Sequence, residues 1–181
     1  WGDDPAQAGI RLSFRNVPTV VSAPRALVSI TVGRKFACGL DDAGNAYCWG
    51  ENGRGQLGAG DTVAHQSPTR VQGTVRFTTI SAGFWHACAV ATTGSAYCWG
   101  DNAFGELAAG DTVSSSKPRQ IAGNSVFRTI MSGSIHSCGS TTSGAALCWG
   151  ANFSGQLGDG TGTSKLAATP VVEPGLAFSA M

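Results

Sequence analysis

Cysteine recurs along this chain at a fixed interval. Cys38, Cys88 and Cys138 stand 50 residues apart, and so do Cys48, Cys98 and Cys148. Each of the second trio opens a Cys-Trp-Gly tripeptide, continued by Trp49-Gly50, Trp99-Gly100 and Trp149-Gly150. A period this long, held over three copies, marks a repeat architecture: one supersecondary unit that cannot bury its apolar face alone is stacked on copies of itself. One scaffold shape serves unrelated partners, so function has to be read from the residues that differ between copies.

The middle copy reads as strands. Residues 75–82 are β-branched and apolar and suit an inner strand. Gly83 punctuates it, and residues 85–92 follow with apolar alternation. Thr93-Gly94 then separates them from a strand at 95–100. Gly94 has counterparts at Gly44 and Gly144, as expected of a short hairpin loop with one residue at positive φ. Such a hairpin sets Cys88 opposite or nearly opposite Cys98. A polar, glycine-rich stretch runs on to about Lys117, where Pro118 leads a short outer strand at 119–121. Pro18 and Pro68 take the same place, and so does Pro170 after a two-residue insertion. An edge strand tolerates proline because that residue need not donate to the ladder. Four short strands per period, with no helical periodicity, describe one blade of a β-propeller.

All six cysteines fall on the repeat and none is left over. Clustered C-x-x-C or H-x-x-x-H metal spacings do not occur. Three bridges within repeats fit better: Cys38–Cys48, Cys88–Cys98 and Cys138–Cys148. Disulfides persist in oxidising compartments, so the chain reads as extracellular, periplasmic or cell-surface. Lys plus Arg total 12 against 11 Asp plus Glu, and no basic run occurs. Electrostatics therefore give no support for a nucleic-acid or membrane-surface partner. No apolar run approaches the roughly 18 residues of a membrane span.

The segment after each Trp-Gly is the most specific motif. The copies read Glu51-Asn52-Gly53-Arg54-Gly55-Gln56-Leu57-Gly58, Asp101-Asn102-Ala103-Phe104-Gly105-Glu106-Leu107-Ala108 and Ala151-Asn152-Phe153-Ser154-Gly155-Gln156-Leu157-Gly158. This WG-x-N-x-x-G-Q-L-G pattern, over about residues 28–170, resembles the regulator of chromosome condensation repeat, in a secreted, bacterial-type form with one disulfide per repeat. The resemblance implies an all-β propeller, with about three complete four-stranded blades and partial flanking blades. The expected division is a partial, degenerate repeat at 1–27, repeats at 28–74, 75–124 and 125–174, and the start of a further repeat at 175–181. Trp1-Gly2 and the residues 177–181 both read as lying inside a repeat, so missing chain or self-association into a ring or array is expected.

Catalysis finds no foothold: there is no nucleophile with a partner, no paired acids and no phosphate-cradling loop, so the chain reads as non-enzymatic, with no cofactor or metal. His86 and His136 share a column with Phe36 and read as blade-packing residues. His65 reads as a solvated loop residue. Trp49, Trp99 and Trp149 read as structural. Asp61, Asp111 and Asp159 suit Asx-capped turns better than calcium ligands. Asn152-Phe153-Ser154 is formally a glycosylation sequon, but its Asn is the motif residue.

What remains is variation against the repeat. After the inner strand the copies read Arg34-Lys35, Phe84-Trp85 and Ser134-Ile135, and after the motif Asn they read Gly53-Arg54, Ala103-Phe104 and Phe153-Ser154. Both loops should emerge at one end of a four-strand blade. Arg34, Lys35, Phe84, Trp85, Phe104, Ile135 and Phe153 then form an aromatic and basic patch suited to a protein partner. The expected role is a protein-binding scaffold. Inhibition of a secreted enzyme, a self-assembling structural role, and nucleotide exchange on a small GTPase (the founding member's activity) stay open beside it; disulfides argue against the last.

Overall fold

A computed structural model describes residues 20–172. Twelve strands follow one another: β1 (Leu27–Val32), β2 (Phe36–Asp41), β3 (Ala46–Gly50), β4 (His65–Arg70), β5 (Phe77–Ala82), β6 (His86–Ala91), β7 (Ala96–Gly100), β8 (Ser115–Gln120), β9 (Phe127–Ser132), β10 (His136–Thr141), β11 (Ala146–Gly150) and β12 (Lys165–Pro170). They form three four-stranded antiparallel sheets in sequential order, β1 to β4, β5 to β8 and β9 to β12. No helix occurs among the described residues, and none is present that could cross a membrane. The expected Pro18, the degenerate first repeat up to residue 19, and the residues from 173 onward lie outside the described part.

The hairpin of each blade is as tight as its glycine suggests. Gly44, Gly94 and Gly144 sit at φ of 75°, 83° and 87°, where a side chain would be strained. The resulting register sets Cys38 directly opposite Cys48, Cys88 opposite Cys98 and Cys138 opposite Cys148. Cα–Cα separations of 4.0, 4.1 and 4.1 Å join all six into disulfides.

The first two bridges lie in the apolar layers between blades. From the first blade Phe36, Cys38, Leu40, Cys48 and Leu57 meet Phe77, Ala87, Ala89, Ala91 and Trp99 of the second. Cys88, Val90, Cys98, Leu107 and Ile121 likewise meet Phe127, Ile130, Leu147 and Trp149 of the third. Phe127 and Ile130 are three residues apart, yet both face the second blade. Period-two alternation forbids this, and the irregularity in the β9–β10 register permits it. Buried tryptophans complete the contact. Trp99 Nε1 donates to the Gln56 carbonyl (3.0 Å) and Trp149 Nε1 to the Glu106 carbonyl (2.9 Å).

Polar columns also cross between blades. Thr31 Oγ1 accepts the Ala82 N–H at 3.1 Å, and Ser81 Oγ accepts the Ser132 N–H at 2.9 Å. Met131 takes this column in the third blade and offers no such oxygen. In the next column Phe36 shares the apolar layer with Ala87, whereas His86 Nε2 lies 2.9 Å from Ser137 Oγ. That hydroxyl donates onward to Ser132 Oγ, so the imidazole N–H donates to it. His136 Nδ1 is buried with no hydrogen-bond partner among the described residues.

Two expectations need correction. The outer strands begin at His65, Ser115 and Lys165, so Pro68 and Pro118 sit inside them and Pro170 closes the last. The register breaks between Cys48 and Gly50 and between Cys98 and Gly100, and the two internal prolines fall in those breaks, where no ladder N–H is required. His65 is not a solvated loop residue. It opens β4, half-buried, with Nε2 3.1 Å from Asp61 Oδ2.

Several measurable outcomes come from this packing. No thiol should label after denaturation without reductant, and Cys88→Ala with Cys98→Ala should lower unfolding free energy by about 2–3 kcal/mol in urea; free thiols would contradict the bridges. Ser137→Ala should cost about 1–3 kcal/mol by leaving buried His86 unpaired. Adding His86→Phe recreates the Phe36 and Ala87 pairing and should recover most of that loss. Burial pushes the His86 pKa down to about 3, so its contribution is complete above its unfolded value and is lost as pH falls from about 6.5 toward 3. Urea titrations between pH 7 and 4 should accordingly show a flatter profile for the double variant than for the parent.

Candidate protein-binding face

The motif loop of each blade is a small frame built by its own side chains. Asn52 Oδ1 accepts the Leu57 N–H (3.0 Å), while its Nδ2 donates to Asp61 Oδ1 (2.8 Å). Asn102 joins Leu107 and Asp111 in the same way, and Asn152 joins Leu157 and Asp159. All three asparagines are fully buried, so the Asn152 sequon is closed to a glycan. Each aspartate then caps its turn by accepting the N–H of Val63, Val113 or Thr161. Each also meets a basic side chain: the His65 imidazole, the Arg119 guanidinium or the Lys165 ammonium. The Arg119 hydrogen bond is the largest influence holding Asp111 down at about 2. The Val63 N–H is the largest influence lowering Asp61, and Lys165 likewise lowers Asp159. These carboxylates are taken up locally, and no group of three or more metal-ligating side chains converges among the described residues.

The same frame fixes the variable tips. Gln56 Oε1 accepts the Arg54 N–H (2.8 Å), Glu106 Oε2 the Phe104 N–H (2.8 Å) and Gln156 Oε1 the Ser154 N–H (2.9 Å). Glu106 is a carboxyl in a glutamine column, 1% exposed, and burial pushes its pKa up.

A backbone bond in each blade ties this loop to the other variable loop. Lys35 O accepts the Glu51 N–H, Trp85 O the Asp101 N–H and Ile135 O the Ala151 N–H, at 2.9, 2.8 and 2.9 Å. Both loops therefore lie at the same end of every blade, opposite the Gly44, Gly94 and Gly144 hairpins. Arg34, Lys35, Phe84, Phe104 and Phe153 are exposed there; Trp85 and Ile135 are half-buried. Phe84, Phe104 and Phe153 expose 43%, 37% and 63% of their surface, unusual for phenylalanine on a rigid frame.

The residues gather into two groups. Phe84 and Trp85 meet edge to face at 5.9 Å, with the Arg34 guanidinium over both rings at 5.8 and 5.3 Å. Phe104 and Phe153 meet edge to face at 5.1 Å across the blade boundary. Ile135 is half-buried, and its carbonyl accepts the Ala151 N–H. Two features were not singled out from the sequence. Arg54 reaches across to Asp101 of the next blade at 3.6 Å. Beside it lies a cleft of about 330 Å³, lined by Gly53, Arg54, Thr62, Ser114, Ser115 and Ser116. The serine run was the available signal, but only the neighbouring blade turns it into a wall.

The geometry agrees with what comparison finds. The model of the regulator of chromosome condensation (RCC1) repeat matches residues 43–90 and 93–140. A second model of that repeat matches residues 27–56, 77–106 and 129–156. A human relative, the E3 ubiquitin-protein ligase HERC2, is 40% identical over 58 residues, which is 31% of this chain and 1% of that protein. Among solved structures, human WBSCR16 superposes with a TM-score of 0.82 at 22% identity, over 97% of this chain and 46% of that one. Yeast RCC1 (Prp20), solved with Kap60, gives 0.73 at 21% identity over 82% and 37%. The ectodomain of the Physcomitrella patens receptor kinase CR4 gives 0.50 at 28% identity over 74% and 32%. This chain spans less than half the length of each of these proteins. Its repeat, its three blades and its motif loops make it a member of the regulator of chromosome condensation repeat family.

Proposed function

We propose that this chain is a non-enzymatic binding scaffold of an oxidising, extracellular-type compartment, and that it holds a protein partner on its loop face. The observation that carries this reading is the display of Phe84, Phe104 and Phe153 at one end of the blades. The loops that carry them are fixed by hydrogen bonds at Ser134, Glu106 and Gln156, so little order has to be gained on binding. Aromatic side chains and arginine supply most interface hot spots. Arg34, Lys35, Trp85 and Ile135 fill out the same surface.

The three disulfides support the compartment, since cytosolic thiols are kept reduced. The CR4 ectodomain supports it from the side of a relative. Yeast Prp20p, described with its binding to Gsp1p and histones, supports a protein as the partner class. Inhibition of a secreted enzyme is a special case of the same reading, separated from passive binding by titrating candidate enzymes.

The test uses the oxidised chain immobilised by its hairpin end and exposed to the extracellular fraction of its source. The triple variant Phe84→Ser, Phe104→Ser and Phe153→Ser should stay folded, with its unfolding free energy in urea lowered by about 1–2 kcal/mol through the lost aromatic contacts. It should lose the proteins that the parent retains. Equal retention by both would overturn the reading.

A further inference from the structure

Among the described residues the variable loop tips carry Arg34, Lys35 and Arg54, and the surroundings of these cations differ. Lys35 Nζ lies 3.5 Å from Glu51 Oε1, and Arg54 lies 3.6 Å from Asp101 Oδ1. Arg34 has no carboxylate within ion-pair distance among the described residues. It is held instead by the faces of Phe84 and Trp85, contributed by the next blade. That environment orients the guanidinium without neutralising it. Its five donors form a flat fork suited to a carboxylate, and the aromatic pair beside it offers apolar surface to whatever carries that carboxylate.

Resting on the protein-binding reading above, we propose that the Arg34, Phe84 and Trp85 corner recognises an acidic residue flanked by apolar ones on the partner's surface. The partner's Asp or Glu pairs with the Arg34 guanidinium, and an adjacent apolar side chain packs on the exposed edge of Phe84. Charge complementarity decides the class. A basic or neutral polar segment would meet an unpaired guanidinium and gain nothing from it. An acidic segment without apolar neighbours would leave Phe84 in water.

The placement of the corner sets its reach. Arg34 follows β1 and Phe84 follows β5, so the corner spans the boundary of two blades. The Phe84 N–H is bonded to Ser134 O, which anchors the aromatic side of the corner to the third blade. Lys35 is paired with Glu51, so it does not compete with Arg34 for the partner's carboxylate.

The experiment is selection of random twelve-residue peptides displayed on phage against three immobilised oxidised proteins: the parent, Arg34→Ala, and the Phe84→Ser, Phe104→Ser, Phe153→Ser variant. Selected parent binders are then synthesised with each acid replaced by its amide. The expected result is enrichment of acids beside apolar residues on the parent only. Acid-to-amide replacement should weaken binding about tenfold to the parent and leave binding to Arg34→Ala unchanged. Arg34→Lys should restore only part of the loss, because lysine lacks the planar fork. Apolar peptides with no acidic preference on the parent, lost on the triple variant, would overturn this proposal and leave the loop-face reading standing. Peptides selected equally by the parent and the triple variant would overturn both.

Discussion

The bond from Trp99 and from Trp149 to the preceding blade is the contact on which the rest depends. Trp99 and Trp149 are fully buried, and each indole N–H reaches the carbonyl of the Gln56 or Glu106 position next door. That carbonyl belongs to the residue whose side chain fixes the loop tip at Arg54 or Phe104. One residue therefore faces both ways. Its backbone holds the neighbouring blade and its side chain holds the display loop. Blade packing and loop geometry are one structure, and a rigid loop face comes with the core at no separate cost in order.

Much of this was legible in the chain because the period is strict. The spacing of Cys88 and Cys98 around Gly94 points to a hairpin bridge, and the register places them directly opposite. The alternation of residues 85–92 reads correctly as β6. What could not be read depends on neighbours from other blades. His86 meets Ser137, 51 residues away, and nothing near either residue signals the pair. Phe104 and Phe153 touch although they occupy different columns of the repeat. The position of Pro118 inside β8 was missed for a local reason: the irregular register opposite Trp99 leaves room for a residue without an N–H.

The electrostatics follow the same division between frame and display. The near-zero net charge comes from composition, and Asp61, Asp111 and Asp159 are each taken up inside their own loop. Such pairs add little individually at a surface. Their value here is geometric, because they close the turns that carry the tips. Glu106 is the exception, a carboxyl where the other copies have an amide, and its burial disfavours its charge.

The column of Phe36, His86 and His136 bears on how such a chain can grow. Duplicating the middle blade behind itself would set His86 against Ala87 and bury an imidazole N–H with no acceptor. The third blade, carrying both His136 and Ser137, matches a copy of itself at this column but offers Met131 where a hydroxyl serves the next backbone. The repeats are alike in shape yet not interchangeable in order. Expansion of an array like this one by tandem duplication is therefore constrained at its seams rather than within its blades, and the residues recording that history lie at the boundaries between copies.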